Sequence, residues 1–166
     1  MKNHIYILVL AGILSLAACS KTGSSAYKGH YSFKTGGSID ITGKRCGIVD
    51  TTITRRLPAE SGQMHIVEKG NGAVLITMNV TGGDSWVMQA NVSGNRINIE
   101  NTRRFVPVYD KLDVLYSYFD MTVSGSGERY DNMIILNLVY QGAYKELDFE
   151  GTVTESRINC VARENE

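Results

Sequence analysis

Cysteine and proline are scarce in this chain, with three of the first and two of the second among 166 residues. Three cysteines cannot build the disulfide-dense scaffold of a small secreted domain, nor a four-cysteine zinc site. Tryptophan occurs once and histidine three times. Neither His30 nor His65 belongs to a His-x-His or His-x-x-x-His pair that would aim two imidazoles at one metal. Charge of one sign is also lacking: 17 basic residues stand against 17 acidic ones, which leaves no basic excess for nucleic acid. Apolar runs are short, the longest being the fourteen residues of Ile5–Ala18, where a bilayer span needs roughly 20.

Catalytic frames are missing as well. Ser85 in GGDSW and Ser126 in SGSGE lack the Gly-x-Ser-x-Gly frame of a nucleophile elbow. SGSGERY is not followed by the Gly-Lys-Ser/Thr of a phosphate loop. Glu146, Asp148 and Glu150 alternate in KELDFE as one uniformly solvated stripe, whereas an acid and a base need environments that differ. Cys46, preceded by Lys44 and Arg45 in GKRCG, could be an activated thiolate with His65 as its base, but pairing with another cysteine is the simpler expectation. These absences point away from an enzyme, and no cofactor or metal is implied.

What is present begins with Lys2 and the apolar stretch IYILVLAGILSLAA, which read as an export signal over residues 1–18. Beyond it, apolar residues recur at period two, and Gly, Asn, Asp and Ser interrupt the chain every 8 to 14 residues or so. Val74, Ile76, Met78 and Val80 share one face of a strand, Trp86, Met88, Ala90 and Val92 share one face of the next, and TGGDS turns between them. Ile97 and Ile99, then Leu115, Phe119, Met121 and Val123, then Ile134, Leu136, Leu138 and Tyr140 continue the pattern. AYKELDFEGTVTES reads as a further strand with Leu147, Phe149 and Val153 on one face, and Arg103–Lys111, around Pro107, as an excursion or strand break. The fold class expected is all-β: an antiparallel up-and-down meander of 8 to 10 strands closing into a barrel, with a two-sheet sandwich as the alternative. Residues 27–166 form one domain.

Leu16-Ala17-Ala18-Cys19 resembles the bacterial lipobox. The resemblance implies cleavage before Cys19, lipid on its thiol and amino group, and attachment to a membrane through that lipid. Residues 19–26 then form the lipidated cysteine and a flexible tether. Ser20, a non-acidic residue after the cysteine, implies the outer membrane, with the domain on its periplasmic side. With Cys19 committed to lipid in an oxidising compartment, Cys46 and Cys160 are expected to pair, two separate thiols being the alternative. The mature domain, through YKGHYSFKTGG, its Gly-turned hairpins and the closing FEGTVTES, resembles small lipocalin-like bacterial lipoproteins of the kind found in Bacteroidetes.

Candidate binding residues follow from the barrel reading. Trp86, Met78, Met88, Phe119 and Met121 fall on faces assigned inward and could line a site for a small apolar or amphipathic ligand, or simply fill the core. Asn101 and Arg103 continue the inward parity of Ile97 and Ile99 and would sit at a barrel mouth if the strand stays regular. Tyr109, Tyr116 and Tyr118 could form an outer aromatic patch for a sugar or a protein partner. The expected function is ligand binding inside a lipid-anchored envelope barrel. The alternative is an interaction or inhibitor module for another envelope protein, with a filled core.

Overall fold

The structure is a computed structural model and describes residues 23–109 and 115–165, with side chains from Ser117 onward in the second stretch. The lipobox and Cys19 lie outside the described residues, as does the side chain of Tyr116. A single helical turn, α1 (Ser24–Tyr27), leads into β1 (Gly29–Arg45) and β2 (Val49–Leu57). Then follow β3 (Ser61–Gly70), β4 (Ala73–Val80), β5 (Ser85–Ser93), β6 (Arg96–Tyr109), β7 (Leu115–Tyr130) and β8 (Met133–Gln141). The chain ends with β9 (Ala143–Lys145) and β10 (Phe149–Glu164).

All pairings are antiparallel, in the order β2-β1-β3-β4-β5-β6-β7-β8-β10-β9. Pairing of β1 with β10 closes eight of these strands into a ring. The expected meander is therefore a barrel and not a sandwich, because the first and last long strands share a ladder from Tyr31↔Glu164 to Arg45↔Phe149. Tight turns set the register. At Asn71-Gly72 both residues have positive φ, the conformation that a two-residue hairpin demands and that Asn and Gly tolerate.

β2 and β9 stand outside the ring. β1 pairs β3 through Lys34 and takes up β2 from Gly37 onward. Gly37, with φ +148°, marks that exchange: a Cβ there would lie 1.9 Å from the carbonyl oxygen of Arg157. β2-β1-β10-β9 thus forms an upper storey above the ring. It curls until Arg55 on β2 meets Glu146 beyond β9, with Arg55 Nε also donating to the Tyr144 hydroxyl at 3.1 Å. One apolar cluster runs through both storeys, from Ile66, Ile76 and Leu136 in the ring to Ile41, Val108 and Phe149 above it.

Three expectations need correction. Cys46 and Cys160 are both free thiols, one exposed and one buried. Cys160 lies opposite Thr35, whereas Cys46 follows the far end of β1; at about 3.3 Å per residue they are roughly 35 Å apart, far beyond disulfide reach. The ends of the barrel are joined by the β1–β10 ladder instead. Second, AYKELDFEGTVTES is two strands: the chain turns between Glu146 and Phe149, leaving Leu147 fully exposed. Its carboxylates are not one solvated stripe, since the Glu146 side chain is largely enclosed against Arg55 while Asp148 and Glu150 pair outside with Arg45 and Lys145. Third, Pro107 does not break β6 but sits within it, opposite Tyr118.

Candidate functional site

The two ends of the barrel differ in kind. At the base, α1 plugs the ring, and Tyr27 and Tyr31 are wholly buried. The Tyr27 hydroxyl donates to the carbonyl of Asn95, and the Tyr31 hydroxyl donates to the carbonyl of Tyr27 at 2.8 Å. Arg129 ties this plug to the last strand, donating to the Ala26 carbonyl, to the Tyr31 hydroxyl at 2.8 Å and to Glu164 at 2.7 Å. The Tyr27, Tyr31 and Arg129 donors thus find acceptors within the protein, and the buried Tyr27 and Tyr31 rings fill this end among the described residues.

The opposite end holds a cleft of about 690 Å³. It opens between the β4–β5 turn, the β2–β3 connection at Pro58 and Glu60, and the outer face of β6 and β7. The cause is a β-bulge: Ile99 pairs with Gly125 but Thr102 with Val123, so two residues, Glu100 and Asn101, oppose Ser124. A bulge bends and twists its strand. β6 pairs β5 only over Arg96–Ile99 and beyond the bulge runs against β2.

The same bulge overturns the expected barrel-mouth pair. Past it the inward parity changes from odd to even, so Val106 and Val108 are buried while Asn101 and Arg103 are exposed. Arg103 reaches along the outer wall to Asp120. Its neighbour Arg104, which the sequence pattern missed, turns inward instead. Its guanidinium lies 4.2 Å over the Trp86 ring, pairs with Glu60 and donates to the Tyr140 hydroxyl at 3.2 Å. Arg104 and Glu60 are only 12% and 13% exposed. Burial alone would lower the Arg104 pKa, but the hydrogen bond to Glu60, reinforced by neighbouring charge, outweighs it and keeps the cation charged. Burial raises the Tyr140 pKa, against the opposing pull of Arg104. Glu60 is itself pinned, its N–H donating to Thr35 Oγ1 at 3.1 Å and its carbonyl accepting from Thr35 N–H at 2.7 Å.

This cluster is the floor of the cleft. One polar atom in it is unsatisfied: Trp86 Nε1 is buried without an acceptor among the described residues. The walls are aromatic and exposed, with Phe105 70% and Tyr118 60% accessible and Tyr109 beside them. Asp84 on the β4–β5 turn completes the rim.

The other expected residues separate. Met78, Met88 and Met121 lie inside the ring with no accessible area, so no void as wide as a water molecule borders them. Phe119 sits in the upper storey, stacked on Tyr144 with ring centroids 4.4 Å apart. Of the five inward apolar candidates, Trp86 alone lines the cleft. His30 and His65 stack on adjacent strands, 4.1 Å between centroids, and no group of three metal-ligating residues occurs among the described residues.

Fold and site together define a closed antiparallel barrel, sealed at its base and split along one seam at its top. In comparisons with family models, curated proteins and solved structures, nothing matched this chain.

Proposed function

We propose that this protein is a lipid-anchored component of a bacterial cell envelope, non-catalytic, that binds a partner protein at the cleft. The observation that carries the reading is the pairing of a packed interior with an open aromatic cleft. Met78, Met88 and Met121 fill the ring among the described residues without accessible area, whereas Phe105 and Tyr118 hold apolar surface out to solvent beside the Arg104–Glu60 floor. The Arg104–Glu60 pair of that floor and the Arg103–Asp120 pair on the outer wall hold their charges in ion pairs, an arrangement suited to positioning and not to proton transfer. The lipobox supports the location. Cys19 precedes Gly23 by four positions, within about 15 Å of extended chain, and α1 seals the base. A lipid on Cys19 would therefore hold the base toward the membrane and present the cleft away from it.

A photo-crosslinking residue in place of Tyr118, in the full-length protein in cells, should give a discrete adduct that Phe105→Ala abolishes. The same residue in place of Val139, exposed on β8, should give none. Equal adducts from both positions, or none from Tyr118, would overturn the reading. A second reading, a small amphipathic ligand in the same cleft, is favoured by a volume inside the roughly 300–1,000 Å³ range of small-molecule sites. Native mass spectrometry decides it: a reproducible extra mass below about 1 kDa, released by denaturation, would support that ligand.

A further inference from the structure

We propose that the split between β5 and β6 is a strand-addition site. In it, an extended segment of a partner protein, with one basic side chain among apolar ones, pairs with the β5 edge over Ser85–Gln89. The proposal rests on the reading of the cleft as a protein-binding site and specifies its mode.

β5 is laddered to β4 from Ser85 through Asn91, but to β6 only from Ala90 through Ser93. The Val92 N–H donates to the Gly72 carbonyl, on the β4 side. Backbone groups of successive residues in a strand point to opposite neighbours, so those of Val87 and Gln89 face the β6 side, where no ladder is formed among the described residues. The opposite wall competes poorly for an added strand, because Pro107 in β6 has no N–H to give.

An open edge of this kind is normally guarded by lysine, proline or an inward charge. SWVMQ carries none of these, and Val87 is 45% exposed. Cleft electrostatics define what would cover it. Arg104 is neutralised by Glu60 and Arg103 by Asp120, while Asp84 makes no ion pair among the described residues. Among the described residues, the rim is left with one uncompensated negative charge beside Trp86, Phe105 and Tyr118. A basic residue flanked by apolar ones complements it. A second copy of this chain does not, since its own edge offers no cation and would bring a second Asp84.

The test starts from random twelve-residue peptides displayed on phage and selected against the lipid-free mature chain. Enriched sequences should share a Lys or Arg with apolar residues at alternate positions. In synthetic versions, N-methylation at backbone amides of one parity should weaken binding about tenfold or more, while the other parity changes it by only about twofold. Bound peptide should slow amide exchange at Val87 and Gln89 by about tenfold or more. Asp84→Asn should weaken basic peptides and lower the salt dependence of binding.

Four results would overturn the proposal. Peptides that bind but tolerate N-methylation at both parities would leave the cleft a protein site and remove strand addition. Val87 and Gln89 already slow to exchange in the free monomer would mean that the edge is not open. A concentration-dependent dimer that protects them would make a second copy the occupant. No enriched peptide, with a Tyr118 crosslink still formed in cells, would mean that the partner presents a folded surface.

Discussion

Arg103 and Arg104 are neighbours in sequence with opposite energetic roles. Arg103 is 81% exposed and meets Asp120 on the outer wall, where a solvated, salt-screened ion pair adds little to stability. Arg104 is enclosed, and its removal would strand the Glu60 carboxylate, take a donor from Tyr140 and uncover the Trp86 ring. Arg104→Ala is therefore expected to cost about 3–5 kcal/mol, most of it the penalty of an unpaired buried charge. Arg104→Met combined with Glu60→Leu should recover most of that loss, because an apolar pair removes the charge and its desolvation together. Urea unfolding of the three variants, with Arg103→Ala as the control that leaves the midpoint close to the parent's, measures this. A double variant as unstable as Arg104→Ala would mean that packing over Trp86, and not charge burial, dominates. Period-two counting put Arg103 inward because RINIENTRRF has no Gly or Pro to announce a bulge at Glu100-Asn101. The inward arginine became visible only through the cross-strand register.

At the scale of the strand, the bulge decides whether the barrel has a seam. Deleting Asn101 would convert two residues opposite Ser124 into one while keeping Arg104, Val106 and Val108 on the inward face, since regular alternation then places them there. The expected result is a folded protein whose β6 stays beside β5, with amide exchange at Val87 and Gln89 slowed and the cleft closed to partners. Unchanged exchange in a folded deletion variant would show that something other than the bulge holds the seam apart. Elements with strict alternation and a strong turn were legible in the sequence. The β4–β5 hairpin is the clearest, with Met78, Trp86, Met88 and Ala90 all buried as the pattern required. Leu147 was misassigned for the converse reason. KELDFE alternates as a strand does, but the Glu146 and Phe149 backbones bond each other across a turn, and no glycine marks it. Pro107 reads as a breaker only if both edges of its strand are used. β6 has a partner on one side at that point, so a missing N–H on the other costs no ladder bond.

The whole molecule distributes order unevenly, with a sealed base, a packed ring and a seam at the top, and closes through hydrogen-bonded strands without a covalent link. That closure buries groups that must stay protonated. Cys160, on the closing strand, has its thiol pushed up from an ordinary value near 9 to about 12, first by burial and then by the negative charge of Glu60. Burial likewise raises the Tyr27 hydroxyl in the basal plug from near 10 to about 12, and burial raises Tyr140 as well. In each case the unfolded chain gives up its proton at a lower pH than the folded one does. Below about pH 9 both states are protonated and these groups add no pH dependence; above it the folded state holds more protons, so stability falls as pH rises. Cys160 sets a decline that steepens as its unfolded thiol ionises and runs on toward its folded value, and Tyr27 adds to it from about pH 10. The urea midpoint should accordingly be flat from about pH 7 to 8.5 and drop steadily above pH 9. Cys160→Ala should delay the onset by about one unit, to where the tyrosines begin, at the expense of a small cavity at neutral pH. Had Cys160 been bridged to Cys46, it would carry no proton to lose. An onset that stays at pH 9 in Cys160→Ala would therefore place the alkaline weakness elsewhere than in the β1–β10 closure.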